Sequence, residues 1–364
     1  MTDGGSIHEL ATNELPGEKV SGFISAEGGA LSAIRLALAY QASRALYVAT
    51  ELGIPDLLGD GNKTSGDLAK ETRTHPDMMR RLLRSLAAFA VLDDLGNETF
   101  GLTSTGNYLR CDWPNSVRPL VLLYGSEHSH RMFASLSECL KSGKNAFEIQ
   151  FGEASSFNYL NNHSNLANIY NDGMSAISAV TGPAAASTYD FSGFRHIVDV
   201  GGGHGKVLAS ILQANRHLRG TLFDLPRVVQ GASQLALREG VADRCDIVGG
   251  DMFKSVPAGA DLYLLSHVVH NWNDTRAGQI LQACHLAMSK GGKLLILDRV
   301  LPDRVSTDAK VQGNVLLDLT MMVRTGGGRE RTADEFQSLL AANGLRLKRI
   351  MSMEIAESLI EAER

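Results

Sequence analysis

The sequence predicts an α/β protein in two parts, a mostly helical, winged-helix-like N-terminal unit followed by a doubly wound, mostly parallel sheet with helices on both faces. Three observations predict it. Apolar residues recur at helical spacing through the first half of the chain. From Asp190 onward, short β-rich runs alternate with helical segments, the pattern of βα units. One of those runs, Val198-Asp199-Val200, leads straight into Gly201, Gly202, Gly203 and Gly205, after which a helical pattern starts at Lys206.

The 364 residues amount to about two domains, and 44% apolar with 21% charged residues is a globular balance able to bury a core. With 35 Lys and Arg against 40 Asp and Glu the net charge is -5, which disfavours nucleic acid and anionic membrane as partners. The longest apolar run, residues 86–92, falls far short of the roughly 18 residues that span a bilayer. The first 25 residues carry Asp3, Glu9, Glu14 and Glu18 without a basic start or an apolar stretch, so no targeting segment is predicted and the expected address is cytoplasmic. Cys111, Cys139, Cys245 and Cys284 stand far apart without a CxxC pair and read as reduced packing residues, not a disulfide scaffold or zinc site.

Along the chain, a polar leader with Gly4, Gly5 and Gly17 precedes structure expected from about Ser21. Residues 31–58 read as a long amphipathic helix and a short one, separated by Gly53 and Pro55. Thr64 and Ser65 offer capping oxygens to a helix containing Asp67 and Glu71, and Pro76 opens another whose apolar face includes Met79, Leu83 and Leu86. A hairpin over 92–102, turning at Asp93, Asp94, Gly96 and Asn97, completes a helix, helix, wing order. Its recognition segment carries only Arg80, Arg81 and Arg84 as basic residues, so a packing or dimerisation module is favoured over DNA binding. Residues 115–189 stay helical, with Gly182 and Pro183 as breakers, and strands are predicted at 196–200, 221–223, 262–265, 294–297 and 358–362. Three segments follow: 20–115, 116–190 as a connector lining the substrate pocket, and 191–364.

Ligand chemistry belongs at the carboxyl ends of the strands. The glycine run permits positive φ and lets a ligand touch bare backbone at a helix N-terminus, which implies a nucleotide-like ligand. A dinucleotide fingerprint needs a third glycine where Lys206 stands, so pyrophosphate binding is disfavoured. Asp224, 23 residues after Gly201, ends the next strand where a carboxylate takes both ribose hydroxyls. In Gly249-Gly250-Asp251-Met252-Phe253 the carboxylate is placed to accept from an adenine amino group while Met252 and Phe253 clamp the ring.

Taken in order, VDVGGGHG, LFDLP, GGDMF, HVVHNW, LDRVLP and GGGRERT resemble the motifs of the S-adenosylmethionine-dependent O-methyltransferases of the plant caffeic-acid and bacterial antibiotic-tailoring type. The resemblance spans nearly the whole chain. It implies a Rossmann-like methyltransferase sheet, and an N-terminal dimerisation domain that helps close the partner's substrate pocket in a homodimer. It further implies S-adenosyl-L-methionine as cofactor, S-adenosyl-L-homocysteine as product, no metal, and a hydroxyl, phenolic in the family, on a small aromatic acceptor. Gly201, Gly203, Asp224, Leu225, Asp251, Met252 and Phe253 then line the cofactor site, and Ser178 matches a helix position that reaches the methionine carboxylate.

The histidine before a short polar residue and Trp is the general base of that family, which selects His270. His267 reads as structural. Two acidic residues that flank the base map to Asp298 and Glu330, where a carboxylate on the imidazole N–H fixes its tautomer. Many relatives carry Glu at the first of these positions; Asp298 is one methylene shorter, so Glu330 is the firmer partner. Surface pairing of both with Arg299, Arg329 or Arg331 is the competing reading. Asn271 replaces the family's Asp, a change expected to affect local capping more than chemistry. Ser266 stands where many relatives carry Lys near the cofactor, and whether its hydroxyl makes the same contact is open. Met174 and Met321 match positions that sandwich an aromatic acceptor, with core filling as the alternative; Thr325 and Gly326 to Gly328 match the pocket rim. His128 with His130, and His267 with His270, lack the cysteine or carboxylate set of a metal site. Three other functions stay open at this stage: N- or C-methyl transfer, a relative that keeps the cofactor for other chemistry, and, more remotely, an NAD-dependent dehydrogenase.

Overall fold

A computed structural model describes residues 29–160 and 162–364. The predicted leader and the start near Ser21 lie outside them. The N-terminal part opens with the helix Ala30–Glu51; Gly53, at φ 72°, turns the chain into the short helix Ile54–Gly59. Thr64 caps the helix Ser65–Thr72 by accepting from the Asp67 amide at 3.1 Å, and Pro76 opens the helix Pro76–Ala88. The strands Leu92–Asp94 and Thr99–Leu102 pair antiparallel, and Lys63–Thr64 adds to the far side of the second. Ile54, Leu68, Met79, Leu83, Leu86 and Phe100 close this unit's core. The expected winged-helix order is therefore present. The first half of Ala30–Glu51 leaves its apolar side uncovered, with Leu31, Ile34, Leu36 and Tyr40 each more than half exposed.

The connector is helical as expected, but the break at Gly182 and Pro183 is absent: one helix runs uninterrupted over Ser164–Thr188. The glycine serves a helix crossing. A Cβ at Gly182 would stand 2.6 Å from Ser210 Oγ and 3.3 Å from Val207 Cα, so only glycine lets this helix lie against Lys206–Ala214. Packing along that crossing carries the helix past Pro183.

The remaining chain builds one seven-stranded sheet: β1 His196–Val200, β2 Arg219–Asp224, β3 Cys245–Gly249, β4 Leu262–Ser266, β5 Lys293–Asp298, β6 Arg346–Ser352 and β7 Ser358–Glu363. Their order across the sheet is β3-β2-β1-β4-β5-β7-β6. The first five run parallel, and β7 is antiparallel to both neighbours. The strands alternate between two cores. Val198, Tyr263 and Ile296 face the helices Asp274–Ala287 and Ala333–Ala342, whereas Ile197, Leu264 and Leu297 face Leu208, Ile211 and Ala185. β3 and β6 escape the sequence reading because both are edges, where Asp246, Arg346 and Lys348 interrupt the apolar pattern. The strand order reverses between β1 and β4, and the crevice at such a switch point is where α/β sheets hold ligands. No helix among the described residues is long and apolar enough to cross a membrane.

Candidate active site

β1 delivers the glycine loop to the switch point. Gly201, Gly203 and Gly205 all have φ between 61° and 87°, which favours glycine. A Cβ at Gly201 would press on Val268 at 2.9 Å, while one at Gly203 would meet only open space. Asp224, at the end of β2, accepts the Gly203 amide at 2.9 Å and the Leu225 amide at 2.6 Å, so it pins the loop across two strands. Its burial holds the carboxyl above the usual range.

Asp199 was read from sequence only as part of a strand, although a charged residue inside an apolar run was a signal. It is fully buried beneath the loop, with both carboxylate oxygens unpartnered, and a Cβ at Gly202 would stand 2.3 Å from Oδ2. Burial, aided by the nearby Asp224 charge, pushes this acid up to about 7.

The third element follows β3. Gly250 donates its amide to the Asp224 carbonyl at 2.9 Å, and Asp251 Oδ1 accepts the Phe253 amide at 3.0 Å. Met252 lies beside Gly201. The Phe253 ring meets Trp272 edge-on at 4.8 Å, and Arg276 covers its face at 3.5 Å. β4 ends with Ser266, whose hydroxyl lies 3.2 Å from His267 Nδ1, and the loop after it begins with His267 at φ 53°. His267 Nε2 lies 3.5 Å from Glu357, which also takes Arg299 at 3.3 Å, so His267 is structural as expected.

His270 sits on the single turn Val269–Asn271 and is buried. Its Nδ1 is 2.7 Å from Glu330 Oε1, while Asp298 Oδ1 is 3.7 Å away. Asp298 instead uses Oδ2 to accept the His270 backbone amide at 3.3 Å. The shorter side chain holds the turn, and the longer one reaches the ring. Burial opposes the imidazolium, but the Asp298 and Glu330 carboxylates outweigh it and raise His270 to about 9. Burial also raises Asp298, to about 6.

The competing ion-pair reading fails. Arg329 and Arg331 bind Asp274 at 3.1 and 2.8 Å, and Arg299 takes Glu357. Arg331, wholly buried, also donates to the Trp272 carbonyl at 2.8 Å and the Val269 carbonyl at 3.2 Å, fastening the turn from its far side. Asp318 accepts the Glu330 amide at 2.9 Å. Asp318 does not stand out in the sequence, and Arg331 enters there only as a competing ion-pair partner. Asn271 donates to the His267 carbonyl at 2.8 Å, the capping effect expected of it.

Thr325 differs from its expected place on the pocket rim: it is buried, donates its hydroxyl to the Met321 carbonyl at 2.7 Å and accepts the Gly328 amide at 2.7 Å. It sets the turn that carries Glu330 to His270, because a threonine hydroxyl directly before a glycine run is a ready turn former. Met174 and Ser178 lie half-buried one turn apart on Ser164–Thr188, and Met321 is buried near the end of the helix Ala309–Arg324. Among the described residues no group of three His, Cys, Asp or Glu side chains is arranged to hold a metal ion.

Comparison with known proteins places the chain in a family. The O-methyltransferase domain family matches residues 133–346, and the O-methyltransferase dimerisation domain family matches residues 34–110. Phenazine O-methyltransferase PhzM of Lysobacter antibioticus is 38% identical over 329 residues, covering 90% of this chain and 94% of that protein. The crystal structure of LaPhzM superposes with a TM-score of 0.85 at 38% identity, covering 92% of this chain and 99% of the other. The O-methyltransferase NcsB1 from neocarzinostatin biosynthesis, solved with S-adenosylmethionine and 2-hydroxy-5-methyl naphthoic acid, gives a TM-score of 0.77 at 30% identity, with 93% and 99% covered. Six ordered motifs, a sheet whose switch point gathers them, and these matches make the chain a methyltransferase enzyme that belongs to the O-methyltransferase family, with that family's dimerisation domain in front.

Proposed function

We propose that this protein transfers the methyl group of S-adenosyl-L-methionine to a hydroxyl, phenolic in the favoured reading, of a small aromatic natural-product intermediate, with His270 as general base. The observation that carries the proposal is the 2.7 Å contact between His270 Nδ1 and Glu330, held at the sheet edge beside the glycine loop.

The cradle fits such a cofactor. Gly203 leaves open space at the loop, and the unpartnered Asp199 carboxyl suits a cationic ligand. A carboxylate has about four acceptor sites; Asp224 spends two on backbone amides and keeps the others for ribose hydroxyls. Leu225, Asp251, Met252 and Phe253 take the adenosine, and Ser178 and Ser266 the methionine end. Bound there, the sulfonium supplies an electrophilic methyl carbon and leaves as the neutral thioether of S-adenosyl-L-homocysteine, which needs no metal.

The residues of the chain supply position and a proton acceptor. Met174 and Met321 hold the acceptor ring, and Thr325 acts through the turn it builds. Holding the acceptor oxygen in line with the methyl carbon replaces a bimolecular encounter and is worth several kcal/mol. Glu330 accepts a hydrogen bond from the Nδ1–H and so leaves Nε2 as the acceptor for the substrate's hydroxyl proton. A cation bound nearby favours the neutral imidazole that this step requires.

In this reading residues 20–115 form the dimerisation domain, 116–190 the connector along the acceptor pocket and 191–364 the catalytic domain. A second copy covers the exposed Leu31, Ile34, Leu36 and Tyr40, and the homodimer works in the cytoplasm without a nucleic-acid or membrane partner. The test is calorimetric titration of S-adenosyl-L-homocysteine into the wild type and Asp224→Ala, followed by methyl transfer to a panel of phenols. Micromolar binding that the variant loses, with transfer to oxygen, is the expected result. Binding with transfer only to nitrogen or carbon would overturn the hydroxyl assignment, and no binding in either protein would overturn the whole reading.

A further inference from the structure

Among the described residues the Arg324 guanidinium has no counterion. The residue ends the helix Ala309–Arg324, is half-buried, and among the described residues has neither a hydrogen-bond nor an ion-pair partner. Its guanidinium lies over the Tyr170 ring, 5.4 Å from the centroid. Tyr170 stands one turn before Met174, and Arg324 one turn after Met321, so this pair adjoins, along each helix, the methionine proposed to hold the acceptor. The rings run on from there. Tyr170 meets Phe157 edge-on at 6.1 Å and Phe157 stacks on Trp272 at 6.1 Å, two residues beyond His270. Three rings, Tyr170, Phe157 and Trp272, thus run from Arg324 to the turn that carries the base.

Among the described residues no carboxylate forms an ion pair with this cation. His128 Nε2 is buried and unpartnered. Burial first, then the charges of Arg324, Arg131 and His163, push His128 down to about 4. The charged groups felt by Tyr170 and His128 include Arg324 in both cases and a carboxylate in neither. An arginine kept half out of water beside an aromatic wall loses hydration, and a planar carboxylate is the group that its fork replaces that hydration with best.

We infer that Arg324 recognises a carboxylate on the aromatic acceptor, so that the substrate class is a hydroxylated aromatic acid with its acidic group seated on the Arg324 guanidinium beside the Tyr170 ring. This rests on the methyl-transfer reading above and narrows it. Arg324 is a specificity-determining residue, separate from the His270 chemistry.

The test compares 4-hydroxybenzoate and 3-hydroxy-2-naphthoate with their methyl esters, as ligands of the protein loaded with S-adenosyl-L-homocysteine and as acceptors with S-adenosyl-L-methionine. The wild type is expected to favour at least one acid over its ester by about 10- to 100-fold, the range for a charge-assisted hydrogen-bond pair. Arg324→Met should reduce that ratio to within about 3-fold, and Arg324→Lys should restore part of it, while S-adenosyl-L-homocysteine binding persists in both. Equal use of acid and ester by the wild type, absence of any acid binding, or an equal loss on acid and ester in Arg324→Met would overturn the inference. Failure of the wild type to bind S-adenosyl-L-homocysteine would instead remove the methyl-transfer reading on which it rests.

Discussion

Glu330 Oε1 and His270 Nδ1 are 2.7 Å apart although 60 residues separate them in the chain, and both are buried. The contact depends on backbone fastenings at each end, from Asp298 to the His270 amide and from Asp318 to the Glu330 amide. A change at either carboxylate near His270 should therefore act on the base, but in different ways.

Glu330→Gln keeps an acceptor oxygen near Nδ1 and removes the charge. Methyl transfer should fall by about 10- to 100-fold, within the range for disturbing a positioned base. Because the Glu330 charge helps raise His270 to about 9, the variant's imidazole deprotonates at lower pH. A base works when unprotonated, so the rising limb of kcat/KM against pH, near 9 in the free wild type, should move down in the variant. Unchanged limbs would separate Glu330 from the base.

Asp298→Asn should cost less. Its amide oxygen can still accept the His270 backbone N–H, so the turn persists while one carboxylate that favours the imidazolium is lost. We expect a loss of under about 10-fold in kcat with a downward shift of the same limb, read from the same pH profile.

Asp199 ties stability to pH. Its folded value of about 7 exceeds the ordinary 3.8, so this group's contribution is most favourable to folding below pH 3.8, declines as pH rises, and is fully lost above 7. The shift is equivalent to at most about 4 kcal/mol. Asp199→Asn should raise the melting temperature of the unliganded protein at pH 8, with the gain shrinking toward pH 5, and should weaken S-adenosyl-L-homocysteine binding. Melting curves across that range decide it.

Gly182→Ala tests why the long helix crosses its neighbour where it does. Alanine improves helix propensity by about 1 kcal/mol, but its Cβ would overlap the Ser210 hydroxyl, and overpacking costs about 1–3 kcal/mol. Net destabilisation is expected in thermal denaturation, and Ser210→Gly should relieve part of it. A stabilised single variant would show that the crossing has slack.

Much of this arrangement was legible in the sequence, for physical reasons that differ by residue. The buried central strands show as apolar runs, and Gly201, Asp224 and His270 stand at or within four residues of strand ends, so their common edge was predictable from βα alternation. The ranking of Glu330 over Asp298 came from side-chain length, and the structure agrees. Edge strands were missed because charged residues interrupt their pattern. Gly182 was misread because a glycine that permits close packing is written with the same letter as one that ends a helix. The fastenings by Arg331 and Asp318, and the isolation of Arg324, depend on contacts between distant segments that local patterns do not record.

The measurement that bears most directly on the central claim is single-turnover methyl transfer by His270→Ala beside the wild type, with S-adenosyl-L-homocysteine affinity measured in both. The account predicts affinity within about 3-fold of wild type and transfer slower by 10² or more, with the rising pH limb abolished. Wild-type transfer rates in His270→Ala, with the pH limb intact, would contradict it.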